Sequence, residues 1–396
     1  MTLFRFKKKR SALFSLCVLF LFICFSVTGG FAFEYSSITT STIIGSNFGH
    51  PTGMGADSLP PVFEPGIAIE TALFIKNLEI TQLSKKDIVG QTIIQSMVPA
   101  RFYYRAGNRT TVELGAILGH KFGDEHEVDI VAPLTRIVHE PRSNIFLVAG
   151  TIFPTHAIHD AMYDDIQKFG INDENMDFHD NVEQGFQFRV NRKRYKQDLW
   201  INWKTREEKN TREAFEAASV SRFQFFDESL FVNLQIRTVH IGGQNNDLDL
   251  GVDENLSMLA GLSYGFDHPF GIDAINGLRF QADYLSSSDS TLQESTETGD
   301  GYEIGVSADL FLSKDITLVL NASHYTGNDF YSRGGDPLYH LDTYSQFGLT
   351  SLFYLDREFL IETGLVAQLT DDAFNFTFMV NFLWGHGFFY NRSVSI

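Results

Sequence analysis

The chain has 396 residues, with 49 Asp and Glu against 31 Lys and Arg and a formal net charge of −18. So acidic a chain repels nucleic acid, and no basic stripe interrupts it, which excludes nucleic-acid binding as a function class. Phe alone accounts for 38 residues, more than a soluble protein easily hides from water.

The N-terminus is typical of a secretory signal peptide. A basic head at residues 5–10 precedes an apolar run at residues 12–27 and a small-residue site that ends at Ala32. We therefore predict a signal peptide over residues 1–32. An uncleaved membrane anchor is less favoured because the apolar run is short for a membrane span.

Two further expectations follow from that signal peptide. Both cysteines, Cys17 and Cys24, lie inside it, so neither disulfides nor thiol chemistry is expected in the mature chain. Residues 33–65 are rich in Ser, Thr, Gly and Pro and lack periodicity, which indicates a flexible periplasmic lead-in. The remainder, residues 66–396, is expected to form one β-barrel.

A period of two dominates this remainder. In residues 302–312, apolar side chains from Ile304 to Leu312 alternate with Glu303, Gly305, Ser307 and Asp309, and residues 374–382 repeat the pattern. No second apolar run is long enough for a membrane helix. A membrane protein without membrane helices can satisfy its backbone only as a closed barrel, so the fold class is all-β, an antiparallel transmembrane barrel.

The connections between strands alternate between short and long, as they do in outer-membrane barrels, where turns lie in the periplasm and loops outside. The pattern favours 16 strands, with 14 to 18 left open. The predicted strands are residues 66–77, 92–105, 110–120, 126–138, 144–152, 183–190, 196–204, 212–225, 229–241, 256–265, 278–286, 302–312, 315–326, 343–355, 358–369 and 373–384.

On this architecture the chain resembles porin-like barrels of the Gram-negative outer membrane, without a motif specific to one family. The resemblance implies a bacterial outer-membrane location. Its partners are then outer-membrane lipids and the barrel assembly machinery, with the oligomeric state open. Such barrels usually end on an aromatic residue, whereas here Phe388, Phe389 and Tyr390 are followed by residues 391–396. Either the last strand extends beyond Trp384 or its recognition by the assembly machinery is atypical.

Two sets of side chains are assigned positions by the alternation. Aromatic residues near strand ends are expected at the membrane interfaces; they are Trp200, Trp203, Trp384, Tyr103 and Tyr104. Charged residues opposite the apolar face are expected to line the lumen, since Arg facing lipid costs about 2–4 kcal/mol at mid-depth. These are Arg101, Arg105, Arg189, Arg222, Arg237, Arg279, Glu113, Glu303, Asp309 and Glu362.

The longest connection, residues 153–182, carries the sharpest polar cluster. A short helix there would place His156, His159, Asp160 and Asp164 on one face. Imidazole and carboxylate groups can bind Zn²⁺, but the glutamate-containing pair of a zinc protease is absent, so metal binding stays open. We expect this segment to fold into the lumen as a constriction.

Charges of both signs along a lumen favour a channel for small polar solutes or ions, and not an enzyme. A filled barrel, an export conduit for a surface polysaccharide, an adhesin and a barrel-embedded enzyme are the alternatives. Asn321, Ser323 and His324 are residue types found in lipid hydrolases, but residues of one strand cannot all face one reaction centre. No cofactor motif is present.

Overall fold

Sixteen strands and a short seventeenth account for most of the described chain. The computed structural model describes residues 63–79, 91–122, 130–153, 158–164, 182–208, 211–226, 229–242, 252–267, 269, 275–290, 296–355, 359–370, 374–389 and 392–394. The predicted signal peptide and nearly all of the lead-in lie outside these residues. The strands are β1 Phe63–Glu79, β2 Gln91–Ala106, β3 Thr110–Lys121, β4 Ile130–Arg142, β5 Ile145–Thr151, β6 Gln184–Arg192, β7 Tyr195–Thr205, β8 Glu213–Phe225, β9 Leu230–Gly242, β10 Asp253–Asp267, β11 Ile275–Ser290, β12 Glu297–Ser313, β13 Ile316–Asn328, β14 Thr343–Tyr354, β15 Phe359–Leu369, β16 Phe374–Phe389 and β17 Arg392–Val394.

The strands close into a ring. Each of β1 to β16 pairs antiparallel with its neighbour in sequence, and β1 also pairs with β16, with Thr71 opposite Trp384. The predicted closed barrel of 16 strands is confirmed. The last barrel strand runs past Trp384 to Phe389, and β17 folds back onto its end, with Phe389 opposite Arg392.

The two ends of the barrel differ in their connections. At the turn end, β1 begins, β16 ends and tight turns join strands; Gly107, between β2 and β3, takes a φ of 71° that favours glycine. At the loop end lie the long connections, including residues 152–183 and 329–342. In outer-membrane barrels the long loops are extracellular. Within the described residues, no helix is long and apolar enough to cross a membrane.

Side chains alternate between lumen and lipid along each strand. Ile304 is 60% exposed on the outer wall, whereas its neighbour Glu303 is 3% exposed inside. Trp203, Tyr104 and Trp384 lie on the outer wall. The interface expectation is wrong for Trp200 and Tyr103, which are buried and point into the lumen because they share the inward parity of their strands.

Candidate functional site

Two loop segments fold back into the barrel, and we call them the lumen plug. Residues 158–164 come from the β5–β6 connection and residues 330–341 from the β13–β14 connection. The Asp164 N–H donates to the Gly334 carbonyl at 2.8 Å, and the Asp336 N–H to the Asp160 carbonyl at 2.9 Å. Apolar plug side chains are buried in one cluster with inward side chains of the wall. That cluster includes Ile158, Met162, Tyr163, Phe330, Leu338, Trp200, Leu259 and Leu285.

The lumen plug crosses the barrel from side to side. On β9, Arg237 Nη1 donates to the Met162 carbonyl at 2.8 Å, and Nη2 binds Glu216 Oε2 at 2.8 Å. On β1, Lys76 Nζ lies 3.2 Å from Asp164 Oδ1. Strands β1 and β9 stand eight apart in a ring of sixteen and therefore on opposite sides. The upper lumen is thus occupied across its width.

His159 of the plug lies against carboxylates of the wall. Its Nε2 lies 3.4 Å from Glu303 Oε2 and 4.0 Å from Asp283 Oδ2, and its backbone N–H donates to Gln235 at 2.7 Å. Tyr339 donates to the same Glu303 oxygen at 2.7 Å. The imidazole is closed off from lipid, so this network anchors the plug and does not present a reactive group to the membrane.

Two buried carboxyls, Asp336 in the plug and Glu183 beside it, have raised pKa values. Burial, followed by the negative charge of Asp164, raises the pKa of Asp336 to about 7. Burial, followed by the charge of Glu216, raises the pKa of Glu183 to about 7, although Lys204 opposes that shift. Tyr163 donates to Glu183 at 3.2 Å. Both carboxyls therefore hold a proton more readily in the folded protein than in an unfolded chain.

The expected short helix is not confirmed. Residues 158–164 form a turn, in which the His159 carbonyl accepts from both Met162 and Tyr163. The next backbone N–H, of Asp164, binds Gly334 on the other plug segment, and this contact ends the helical pattern after one turn. His156 lies outside the described residues, so its place beside His159 stays a prediction.

The charged residues expected in the lumen have inward parity in the described strands. Glu113 joins Arg101 and Arg136, each at 3.2 Å, and Arg189 Nε lies 2.8 Å from Asp198 Oδ2. The others in this set are Arg105, Arg222, Arg237, Arg279, Glu303, Asp309 and Glu362. Their role in solute passage stays a prediction. Within the part of the chain that the structure describes, no group of three or more His, Cys, Asp or Glu side chains is arranged to hold a metal.

A second candidate site lies on the outer wall, where β13 and β14 pair. Ser345 Oγ is 2.9 Å from His324 Nδ1, and the two residues are register partners. Their neighbours in sequence, Tyr325 and Tyr344, are buried inside, so the alternation points His324 and Ser345 outward. When His324 is protonated on Nε2, Nδ1 accepts the serine proton, which is the contact that a nucleophile and its base require.

This serine–histidine pair lies near the loop end of the outer wall. Tyr284 and Tyr302 stand side by side on the outer wall, 5.1 Å between ring centroids, as aromatic residues do at the interface. Thr326 is the register partner of Tyr302, and His324 lies two residues farther from the loop end, about 7 Å along the strand.

A similar contact marks the opposite end of the outer wall. His139 Nδ1 lies 3.0 Å from Thr110 Oγ1 between β3 and β4, at the turn end. The two pairs have similar chemistry, but they lie at opposite ends of the barrel. From the sequence, His324 was considered together with Asn321 and Ser323, but the side chains of those two residues face the lumen. Its partner Ser345 is contributed by the next strand.

Comparison with known proteins identifies a family. A family model described as lipid A 3'-O-deacylase-type matches residues 65–389. No curated protein matches the chain. The expectation that the chain is not an enzyme is therefore wrong: lumen charges are shared by channels and by barrels whose chemistry lies elsewhere, and they do not separate the two.

Solved outer-membrane barrels resemble the chain at low identity. A loop-deletion mutant of OmpT from Vibrio cholerae is 11% identical, with 81% of this chain and 99% of that chain covered and a TM-score of 0.46. An anion-selective porin from Comamonas acidovorans is 10% identical, with 82% and 99% covered and a TM-score of 0.48. OpdO from Pseudomonas aeruginosa is 11% identical, with 83% and 98% covered and a TM-score of 0.47. At these identities and TM-scores, the solved barrels do not indicate the function of this chain.

Proposed function

Because the chain belongs to the lipid A 3'-O-deacylase-type family, we propose that it hydrolyses an acyl ester of lipid A in the outer leaflet of the outer membrane. The observation that carries this assignment to particular residues is the Ser345–His324 contact on the outer wall. Ser345 is the proposed nucleophile and His324 the proposed base.

The proposed proton transfers are carried by this pair and by water. Ser345 Oγ attacks the acyl carbonyl carbon while its proton passes to His324 Nδ1. The tetrahedral intermediate then expels the sugar oxygen, which takes that proton. Water attacks the resulting acyl-serine ester with His324 again as base, the fatty acid leaves, and Ser345 regains its proton.

The surroundings of the pair suit a lipid substrate. Ile304 is the register partner of His324 on one side, and Leu369 is the partner of Ser345 on the other. An acyl chain lying along the barrel wall contacts these apolar side chains while its ester reaches the hydroxyl. A pair inside the lumen would lack access to a lipid, and this access favours the outer wall as the reaction site.

Passage of small solutes, the function expected from the charged lumen, is less favoured by the plug. Ions would have to pass a segment tied to β9 through Arg237 and to β1 through Lys76. We therefore propose that the intact barrel is closed or nearly closed to ions.

The test uses purified protein in vesicles that contain lipid A, with released fatty acid measured over time. Ser345→Ala is expected to lower the rate by about 10⁴-fold, and His324→Asn by about a thousandfold. The matched controls are Thr110→Val and His139→Asn, which disrupt the similar pair at the turn end and are expected to leave the rate unchanged. Wild-type activity in Ser345→Ala would contradict the assignment of the nucleophile.

A further inference from the structure

The lower lumen contains two arginines that share one aromatic ring. Phe231 projects inward from β9, and the guanidinium carbons of Arg222 on β8 and Arg279 on β11 lie 4.2 Å and 5.2 Å from its ring centre. Both arginines sit within five residues of the strand ends at the turn end, and both keep partial exposure. Lys196 on β7 is the register partner of Arg222 and has the same inward parity.

The chain contains a second sandwich of this kind, and it is neutralised. The guanidinium carbons of Arg136 and Arg189 lie 4.0 Å and 5.4 Å from the centre of the Phe153 ring. There, Arg136 binds Glu113 and two backbone carbonyls, and Arg189 binds Asp198. In this sandwich, a carboxylate therefore neutralises each of the two cations on the ring.

The Arg222–Phe231–Arg279 sandwich lacks that completion. Neither arginine has a hydrogen bond or ion pair to any residue that the structure describes, and Arg279 Nε and Nη1 are buried atoms without a partner. The carboxylates of Asp309 and Asp267 attract Arg279 from beyond ion-pair distance, so they offset part of its charge without accepting a hydrogen bond from it. Three cations held together at the strand ends repel one another, and a buried guanidinium without an acceptor loses its hydration.

We propose that this cluster, Lys196, Arg222 and Arg279, is a binding site for a phosphate-class oxyanion that enters from the periplasmic end. A tetrahedral oxyanion beside the edge of the Phe231 ring can accept hydrogen bonds from both guanidinium groups, the planar donors suited to phosphate. Lys196 contributes a third positive charge. The site lies inside the lumen, whereas Ser345 lies on the outer face of the barrel wall. It therefore does not depend on the proposed ester hydrolysis.

The experiment is isothermal titration of the refolded full chain in detergent with inorganic phosphate, at constant ionic strength maintained with chloride. One-to-one saturable binding is expected, with at least a tenfold loss of affinity in Arg222→Gln and in Arg279→Gln. Arg189→Gln, in the neutralised sandwich, is the matched control and should bind as wild type does. A parallel titration with glycerol phosphate identifies the source: comparable affinity indicates the phosphate group of a larger molecule, and a clear preference for inorganic phosphate indicates the free ion.

Stability provides a second readout that separates binding from folding. Without phosphate, Arg222→Gln should be no less stable than wild type because it relieves repulsion. Phosphate should raise the unfolding midpoint of wild type and of Arg189→Gln, but not that of Arg222→Gln. If phosphate has no greater effect than chloride, or if Arg189→Gln loses binding equally, the proposal is overturned and the arginines are hydrated by water.

Discussion

Arg237 on β9 is one of the residues that connect the lumen plug to the wall opposite β1. Arg237 donates to the Met162 carbonyl and pairs with Glu216, whose side chain is fully buried. Arg237→Met leaves Glu216 with Lys204 as its remaining cation, at 3.3 Å, and should destabilise the folded state by about 3 kcal/mol. The measurement is the guanidinium midpoint of tryptophan emission in a Trp203→Phe, Trp384→Phe background, in which Trp200, packed against the plug, is the reporter. Lys314→Ala, on an exposed turn, is the control and should leave the midpoint unchanged; an equal shift in both variants would contradict this role.

The raised pKa values of Glu183 and Asp336 predict a pH dependence. A carboxyl whose pKa is higher folded than unfolded contributes stability that is complete below the unfolded pKa and is lost as pH rises through the folded one. The unfolded values are 4.5 and 3.8, and both folded values are about 7. The plug should therefore be more stable at pH 5 than at pH 8, as measured by the same Trp200 midpoint. Glu183→Gln with Asp336→Asn should reduce this difference, and an unchanged difference would mean that other groups cause it.

Sequence alternation predicts which face of a strand a single residue occupies, but it cannot predict which residues of neighbouring strands pair. The inward arginines followed from parity alone, because a charge facing lipid costs several kcal/mol. The Ser345–His324 contact depends on the register between β13 and β14, and a shift of one residue would turn one partner to the other face. No pattern within either strand determines that register, so the sequence grouped His324 with Ser323 instead.

The elements themselves were largely predictable. All sixteen strands follow the period of two, yet several extend beyond their predicted bounds at the loop end. β11 continues to Ser290 and β12 begins at Glu297, through serines, threonines and acidic residues that carry no apolar alternation. Pairing above the membrane needs backbone hydrogen bonds but no apolar face, so hydropathy does not reveal it.

The sequence could predict that the β5–β6 connection folds inward, but not the conformation that it adopts there. The unusual length of the β5–β6 connection and its polar cluster indicated an inward fold. Its turn, however, depends on contacts with residues 330–341 of a distant loop, and sequence spacing could not predict that the two segments meet.

Replacing residues 158–164 with a Gly-Ser linker should open the lumen and raise single-channel conductance well above that of wild type. Unchanged conductance would show that these residues do not obstruct passage.

At the scale of the whole molecule, this is a closed outer-membrane β-barrel with two separate chemical environments. The lumen contains the plug and most of the charged strand residues, while the outer wall bears the exposed Ser345–His324 pair. A barrel closed by hydrogen bonds around the full ring provides a rigid wall on which such a pair stays in register. The proposed enzyme function and the filled lumen are therefore compatible within one fold.

The proposed hydrolysis is tested most directly on lipid A in an intact outer membrane. Wild type and Ser345→Ala are expressed in a Gram-negative host with equal amounts of folded protein. The molecular mass of the extracted lipid A is then measured by mass spectrometry. The wild type should convert lipid A to a species lighter by one ester-linked acyl chain, and Ser345→Ala should leave it intact. Fully acylated lipid A in both strains would contradict the ester hydrolysis. Equal conversion in both strains would contradict the assignment of Ser345 as the nucleophile.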